Sequence, residues 1–436
     1  MLTPSARGKW RLVSSTFAVM ILASVHAACS AKNTASTDMN AMGDGGPNAS
    51  VDSATTGDTG PNTGVDSAAT GDTGPNTSVD GASVGDGGGT WTDRTAGTSA
   101  ASLAWTDVAS DATGTHLVAV NDTSGLPDGS NGDVWTSSDS GATWINRTKG
   151  TQASGHSWAS VASDSTGTYL VAASFVAGSV ESEAGVSVST YQATVWTSAD
   201  AGATWSKQTT VADTSGYLLG PTVTSDSTGT NLVLAAGDVW TSTDSGASWT
   251  DKTAGTSAAA QSWVDMASDS TGAHLVGATA DSDIWTSSDS GATWVNRTKG
   301  AAASGAAWQA VASDSTGSHL VAVTGQPGGD IWVSSDSGAT WIDRTQGTPA
   351  TGNNWSSVAS DASGTHLVAA DSHGAANDIW TSADSGMTWT DETAGTSASG
   401  QQWVALASDA TGAHLVAASN DPPGAGFCCE GDIWTN

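Results

Sequence analysis

The amino-acid sequence predicts an all-β fold, a seven-bladed β-propeller built from four-stranded blades. From Trp91 to the C-terminus the chain repeats with a period of roughly 45 to 60 residues, which is typical of propeller blades. Each repeat contains four short apolar runs, β-branched or rich in Trp and bounded by Gly, Asp or Ser, as expected for strands. The two ends of the chain are complementary fragments of one further repeat, which predicts a closed ring.

One repeat, residues 294–345, shows the order of the strands, which we name A to D from the centre of the propeller outward. In this repeat they are A (308–313), B (319–323), C (330–334) and D (340–345). A Trp marks strand C and another marks the start of strand D, and we expect both sets to pack between blades rather than to stack on sugars. The C-strand set is Trp135, Trp196, Trp240, Trp285, Trp332, Trp380 and Trp434. The D-strand set is Trp91, Trp144, Trp205, Trp249, Trp294, Trp341 and Trp389.

The ends of the chain predict how the ring closes. The chain stops at DIWTN, a C strand with no D strand after it, whereas Trp91 begins a D strand with no C strand before it. Joining them completes blade 7 and removes the open sheet edges of a linear array. We therefore expect the propeller to occupy residues 84–436, with the N-terminal outer strand completing the C-terminal blade.

The N-terminus predicts export. Residues 1–28 combine a basic cluster, an apolar run and small residues, as signal peptides do. The end of this segment resembles the lipobox of bacterial lipoproteins, in which Cys29 would carry the lipid, although His26 stands where an aliphatic residue is usual. Cleavage after Ala27, with secretion of a chain that has no anchor, is the alternative.

The next segment, residues 29–83, predicts a disordered acidic tether. It contains three near-copies of one unit, such as GDTGPNTSVDGASV, and is too poor in apolar residues to form a core. The whole chain carries 43 acidic and 12 basic residues, a formal charge of −31. Such a surface repels phosphate backbones and anionic membranes, so we expect no nucleic-acid partner and membrane contact only through a lipid anchor.

The segment between strands C and D follows the pattern Ser-x-Asp-x-Gly-x-Thr-Trp, as in Ser287, Asp289, Gly291, Thr293 and Trp294. It resembles the Asp-box, or bacterial neuraminidase repeat, of sialidases, sortilin-type receptors, some xyloglucan hydrolases and photosystem assembly factors. The resemblance covers residues 84–436 and implies a β-propeller whose boxes lie on the face opposite the ligand site. It does not imply an enzyme, because fold and function separate. The box residues are Asp139, Asp200, Asp244, Asp289, Asp336 and Asp384, with Asp86 in a degenerate copy.

Repetition also separates structural residues from candidate catalytic ones, because one active site needs one asymmetric set. The turn between strands A and B always carries an Asp, which we interpret as structural: Asp111, Asp164, Asp226, Asp269, Asp314, Asp361 and Asp409. One B-strand position carries His116, His274, His319, His366 and His414, with Tyr169 and Asn231 in the other two blades. We assign no catalytic residue, metal ligand or cofactor.

Sialidase activity is disfavoured by the placement of the arginines. A sialidase needs three arginines that converge on a substrate carboxylate. The propeller has Arg94, Arg147, Arg297 and Arg344, all at one equivalent position in the outermost strand. A glycoside hydrolase with two loop carboxylates, such as Glu181, Glu183 or Glu430, stays open as an alternative.

The departures from the repeat are concentrated in blades 1, 2, 3 and 7, which adjoin one another in the ring. The B to C connections of blades 1, 2 and 7 carry insertions, and blade 3 has YLLGP where the others have a Trp. Because irregular loops on rigid scaffolds are common recognition sites, we predict a monomeric module that binds a glycan or a protein there; a scaffold with no small ligand is a further alternative. The predicted ligand-binding residues are Phe175, Glu181, Glu183, Tyr191, Tyr217, Phe427 and Glu430. Cys428 and Cys429 could form a vicinal disulfide, pair between chains or stay reduced.

Overall fold

The computed structural model describes residues 90–122, 132–181, 187–212, 220–280, 283–301, 303–325, 328–372, 377–420 and 431–436. Every regular element in these ranges is a β-strand. None of the described segments forms a helix long and apolar enough to cross a membrane.

The strands form seven antiparallel four-stranded sheets, one for each blade. Blade 1 contains β2 (Trp105–Ser110), β3 (Leu117–Asn121), β4 (Val134–Ser137) and β5 (Ile145–Asn146). Blade 2 contains β6 (Ser157–Ser163), β7 (Leu170–Glu181), β8 (Ser187–Ser198) and β9 (Ser206–Ala212). Blade 3 contains β10 (Thr222–Ser225), β11 (Leu232–Ala236), β12 (Asp238–Ser242) and β13 (Thr250–Asp251). Blade 4 contains β14 (Trp263–Ser268), β15 (Leu275–Thr279), β16 (Ile284–Ser287) and β17 (Val295–Asn296).

The remaining blades complete the ring. Blade 5 contains β18 (Trp308–Ser313), β19 (Leu320–Thr324), β20 (Ile331–Ser334) and β21 (Ile342–Asp343). Blade 6 contains β22 (Trp355–Ser360), β23 (Leu367–Asp371), β24 (Ile379–Ser382) and β25 (Thr390–Asp391). Blade 7 contains β26 (Gln402–Ser408), β27 (Leu415–Asn420), β28 (Ile433–Thr435) and the N-terminal strand β1 (Thr92–Asp93). The predicted fold class, a seven-bladed propeller of four-stranded blades, is confirmed.

The N-terminal strand closes the ring as predicted. Thr92 pairs with Thr435 and Asp93 pairs with Trp434, so that β1 is the outer strand of blade 7. Trp91 is buried, and its ring centroid lies 6.2 Å from that of Trp403 on the inner strand of the same blade. The closure therefore combines backbone pairing with aromatic packing.

The core consists of seven apolar clusters, one at each interface between blades. At the interface of blades 7 and 1, Trp105 packs 6.2 Å from Trp135 and 6.3 Å from Trp144 on the same sheet. This aromatic surface contacts Val416 and Ile433 of blade 7. One blade contributes Trp side chains and its neighbour contributes small aliphatic ones, so each sheet is buried only when both neighbours are present.

The box turns form hydrogen-bonded units on one face of the ring. In blade 1, the Ser137 hydroxyl donates to Asp139 Oδ1 at 2.8 Å, and the same Asp accepts the Thr143 N–H at 2.8 Å and the Thr143 hydroxyl at 2.7 Å. Gly141 has φ +84°, and a Cβ there would lie 3.1 Å from Thr435 of blade 7. The turn therefore requires Gly both for its conformation and for its contact with the preceding blade.

Blade 2 differs from the predicted irregular loop. Its B to C insertion extends the strands themselves, because β7 and β8 pair without interruption from Leu170↔Ser198 to Glu181↔Ser187. The following outer strand, β9, is also long and pairs with β8 up to Gln192↔Ala212. Blade 2 thus projects a ribbon of regular sheet beyond the edge shared by the other blades.

We predict that the closing strand is indispensable for stability. A chain that begins at Arg94 lacks Trp91 and β1, and the loss of one buried Trp alone costs about 3–5 kcal/mol. It should unfold more than about 5 °C below a chain that begins at Thr90, as measured by circular dichroism. Equal unfolding midpoints for the two chains would contradict closure by β1.

Candidate functional site

The inner strands surround a central channel in which two acids interrupt the repeat. The inner strand of every blade ends in a Ser. The channel position three residues before that Ser is occupied, from blade 1 to blade 7, by Asp107, Ser160, Thr222, Asp265, Ala310, Ser357 and Ala405. Five of these side chains carry an oxygen, but only blades 1 and 4 place a carboxyl group there. Asp107 and Asp265 therefore form the asymmetric element of the channel.

Both carboxylates tie neighbouring blades together. Asp107 accepts the N–H of Val108 at 2.8 Å and that of Val161 in blade 2 at 2.8 Å. Asp265 accepts the N–H of Met266 at 2.8 Å and that of Val311 in blade 5 at 2.9 Å. Each carboxylate thus uses one oxygen within its own strand and the other on the next blade.

The channel also changes the acidity of these groups. Burial raises the pKa of Asp107 to about 6, although hydrogen bonds from Val161, Ser160 and Val108 oppose the shift. Burial raises the pKa of Asp265 to about 7, and the charge of Asp107 adds to this rise. A carboxyl group with such a pKa can hold or release a proton near neutral pH, which is the property of a general acid.

One mouth of the channel is a closed ring of backbone hydrogen bonds. The A to B turns of the seven blades line an open cavity of about 200 Å³ on the same face as the boxes. Each turn donates an N–H to a carbonyl of the next turn at 3.0–3.1 Å, and the seventh donates to the first. The successive donors are Ala112, Ser165, Ser227, Ser270, Ser315, Ala362 and Ala410.

The repeated Asp residues at this mouth are engaged within their own turns. The Asp111 carboxylate contacts His116 Nδ1 at 2.9 Å and accepts the N–H groups of Thr113 and Thr115. Burial opposes ionisation of Asp111, but hydrogen bonds from His116 and Thr113 outweigh it and lower the pKa of its carboxyl group. The other four His residues of this set make the same contact at 2.7–3.0 Å. This geometry explains the repeated Asp of the A to B turns and the repeated His of the B strands as structural residues, without a ligand.

On the opposite face, residues that flank the irregular segments contact the neighbouring blades. Gly431, which follows the blade 7 insertion, exchanges two backbone hydrogen bonds with Leu103 of blade 1. The N–H of Gly155 in blade 2 donates to the carbonyl of Gly132, which follows the blade 1 insertion, at 2.9 Å. These contacts place Gly431 and Gly132, the first described residues after the two insertions, beside the start of blades 1 and 2.

The proximity between adjacent blades on this face continues from blade 2 into blade 3. Phe175 is half-buried on β7, and a Cβ placed on Gly220 would lie 4.0 Å from its ring. Gly220 lies two residues before the A strand of blade 3 and ends the YLLG stretch. Blades 7, 1, 2 and 3 therefore form one continuous sector of departures from the repeat, which we call the irregular sector.

Most of the predicted ligand-binding side chains lie outside the described residues. Phe175 is described. The backbones of Glu181 and Tyr191 lie in β7 and β8, but their side chains are outside the described part. The other residues beyond it are Cys29, Asp86, Glu183, Tyr217, Phe427, Cys428, Cys429 and Glu430.

Sequence reasoning missed Asp107 and Asp265. Their signal is an alignment of the seven A strands on the Ser-Asp pair that ends each strand, which leaves WTDVAS and WVDMAS as the two acidic copies. In the described part of the chain, no group of three or more His, Cys, Asp and Glu side chains is placed to hold a metal ion.

The arginines lie on the outer strands of four different blades. The Nε of Arg94, Arg147 and Arg297 donates to a Thr hydroxyl of the adjacent C strand at 2.6–2.7 Å. They face separate interfaces between blades and do not converge. The described geometry contains no arginine triad for a substrate carboxylate.

Comparison with known proteins supports the fold. No protein-family model matches the chain, and no curated protein matches it in sequence. The GH74 xyloglucanase from Xanthomonas campestris is similar to it over 79% of this chain at 18% identity and a TM-score of 0.53. The similar region covers 55% of the xyloglucanase, so the chain spans about half of that protein.

A second kind of neighbour is a smaller protein. YCF48 from Cyanidioschyzon merolae is similar over 80% of this chain and 98% of its own, at 13% identity and a TM-score of 0.54. YCF48 bound to D1 peptide is similar over 77% of this chain and 93% of its own, at 13% identity and a TM-score of 0.51. At these identities the likeness shows the fold alone: the protein is a seven-bladed β-propeller.

We predict that Asp265 makes stability depend on pH. Its pKa is raised to about 7 in the folded protein, well above the ordinary value for Asp, so between these two values the folded state binds a proton that the unfolded state has released. Stability should therefore fall as pH rises from about 4 to 7, with a slope of up to about 1.4 kcal/mol per pH unit from this group. Asp265→Asn should reduce this slope in urea unfolding measured across that range, and the part that is left is the contribution of groups such as Asp107, whose pKa is also raised. Glu392→Gln, which removes a charge on an outer strand, serves as the control, and parallel slopes in wild type and D265N would refute the assignment.

Proposed function

We propose that the protein is an exported Asp-box β-propeller that recognises a neutral glycan or a protein through its irregular sector, without catalysis. The observation that supports this most directly is the continuity of that sector. Backbone hydrogen bonds join Leu103 with Gly431 and Gly132 with Gly155. Phe175 lies near Gly220, so the sector extends over four blades on one face. A surface of this kind is asymmetric, as recognition of one ligand requires.

The box face is a weaker candidate for recognition. Its turns repeat around the ring, and their Asp carboxylates already accept hydrogen bonds within the turn. The backbone groups at the channel mouth are likewise paired with the next blade. Few unpaired polar groups are left there to select a ligand.

The neighbours illustrate two uses of the same fold. One is a xyloglucanase and another is a protein bound to a peptide. Both a glycan and a protein are therefore reasonable ligands for this chain. Its formal charge of −31 favours a neutral or basic ligand over an acidic one.

The hydrolase alternative draws support from the channel. Asp107 and Asp265, with pKa values raised to about 6 and about 7, include a group able to donate a proton at neutral pH. Glycoside hydrolysis would require one of these acids, or a loop carboxylate such as Glu181, Glu183 or Glu430, to reach a substrate. Turnover of a glycoside that is lost with these acids would favour the hydrolase over the binding module.

We predict that the blade 2 ribbon contributes to binding. Val176 pairs with Gln192, so residues 177–191 can be replaced by an Asn-Gly turn that closes the shortened hairpin. A ligand found on a glycan array should bind the trimmed protein at least about tenfold more weakly, because this protein loses a large part of the proposed surface.

The matched control is Met387→Ala, which changes an exposed side chain on a box turn of the opposite face. It should leave the affinity unchanged. Equal binding by wild type and the trimmed protein would exclude the ribbon from the site. If neither binding nor turnover is found with any glycan, and no protein binds the sector, the scaffold alternative gains support.

We also propose that Cys29 anchors the protein through a lipid and that residues 29–83 act as a tether. The lipobox-like end of the signal segment and the lack of apolar residues in the tether support this. Cys29→Ser should move the protein from the membrane fraction to the soluble fraction of the producing bacterium, as measured by immunoblot. An unchanged distribution would favour plain cleavage after Ala27.

A further inference from the structure

The box face carries a series of equivalent grooves between blades, at a distance from the irregular sector's face. Each groove is lined by the His of a B strand, by strand C, by the D-strand Arg and by the box turn of the next blade. In the groove between blades 4 and 5, Arg297 Nε donates to the hydroxyl of Thr286 at 2.6 Å. The arginines of blades 7 and 1 make the same bond with their own C-strand Thr.

The groove between blades 5 and 6 breaks this rule. In this groove Val333 occupies the position that Thr286 occupies between blades 4 and 5. Each side chain faces the box-turn Gly of the next blade. A Cβ on Gly386 would lie 3.1 Å from the Val333 side chain, and a Cβ on Gly338 would lie 2.9 Å from the Thr286 side chain. Valine has no hydroxyl group. The Nε of Arg344 is buried, and it has no hydrogen-bond acceptor among the described residues.

The same groove is the roomiest of the four. Its cavity volume is about 60 Å³, compared with about 20 Å³ between blades 4 and 5, about 30 Å³ between blades 1 and 2, and about 40 Å³ between blades 7 and 1. One water molecule needs roughly 10–15 Å³ of such space, so this groove has room for a small group with several polar atoms. Its lining residues include four hydroxyl side chains and no carboxylate: Ser334, Ser335, Thr340 and Ser385.

We propose that this groove binds a single carboxylate group, with the guanidinium of Arg344 as its anchor. A buried guanidinium N–H without an acceptor is unfavourable, and a carboxylate satisfies it through a charge-assisted bond in a geometry that guanidinium favours. The hydroxyl groups of Ser334 and Thr340 already donate to Asp336. The hydroxyl groups of Ser335 and Ser385 are the ones that supply further donors.

The charges around the groove favour a carboxylate over an anion with several charges. Asp336 and Asp384 stand in the two adjoining box turns, where they accept hydrogen bonds from Thr340 and Thr388. Their negative charges, and the formal charge of −31 on the chain, oppose a multiply charged ligand. The site is on the face opposite the proposed recognition surface and does not depend on that proposal.

The test follows the Nε–H resonances of the arginines by NMR of protein labelled at arginine, during titration with sodium acetate. Sodium chloride at the same ionic strength and sodium sulfate are the comparison salts. We expect the Arg344 resonance to shift and saturate with acetate, with a Kd on the order of 1–10 mM. The resonances of Arg94, Arg147 and Arg297 should stay in place.

Two reciprocal variants supply matched controls. Val333→Thr restores the hydroxyl partner and should weaken acetate binding at Arg344 at least about tenfold. Thr286→Val removes that partner from blade 4 and should make Arg297 respond to acetate. Both changes are nearly isosteric, so the fold should persist, and the remaining arginine resonances report on it.

The proposal is overturned if Arg344 shows no saturable shift, or if all four arginines shift together with added salt. It is also overturned if chloride or sulfate binds as tightly as acetate, since the site would then have no preference for a carboxylate. Binding to V333T with unchanged affinity would show that the missing hydroxyl is not the determinant.

Discussion

The structure depends on the contact between the Trp-bearing surface of each blade and the small aliphatic surface of the blade before it. A four-stranded sheet of this composition cannot bury its own faces, so each blade is stable only between two neighbours. Val416 and Ile433 of blade 7 lie under Trp105 and Trp135 of blade 1. The other interfaces repeat this arrangement, except that blade 3 has no Trp on its inner strand. The ring must therefore close, and a two-residue strand at the N-terminus provides the last contact.

The turns of the box face are fitted to the same interfaces. A Cβ on Gly114 would lie 2.5 Å from the His414 side chain of the preceding blade, and a Cβ on Gly167 would lie 2.4 Å from that of His116. Glycine at these positions allows the A to B turns to approach closely enough for their backbone groups to bond around the ring. The histidines then serve as packing surfaces for the neighbouring turn while their Nδ1 atoms contact an Asp. Repetition on this face thus follows from one geometric requirement applied seven times.

The sequence predicted the features that depend on this repetition. Blade number and closure could be read from the Trp positions, because the interfaces need one Trp on strand C and one at the start of strand D. The extension of β7 and β8 could not be predicted in the same way, since its residues carry neither a Trp nor a box and resemble a loop insertion. Asp107 and Asp265 were missed for a different reason: their meaning depends on a channel that only the folded ring creates. The side chains of Glu181 and Tyr191, and the whole of Phe427 and Glu430, lie outside the described residues, so their assignment to a ligand site stays a prediction.

A repeated scaffold makes single substitutions informative, because the other blades show what the same position does when it is only structural. The neutral hydroxyl groups of Ser160 and Ser357 each accept an N–H from the next blade. The bond between blades therefore does not require the negatively charged carboxylates that blades 1 and 4 carry at the same position. Thr286 satisfies Arg297, so Val333 leaves Arg344 with a donor that its own blade does not use. In both cases the cost of the substitution is electrostatic and local. Such positions can acquire a ligand without disturbing the fold, because the packing that closes the ring lies in the Trp clusters and not in these polar contacts.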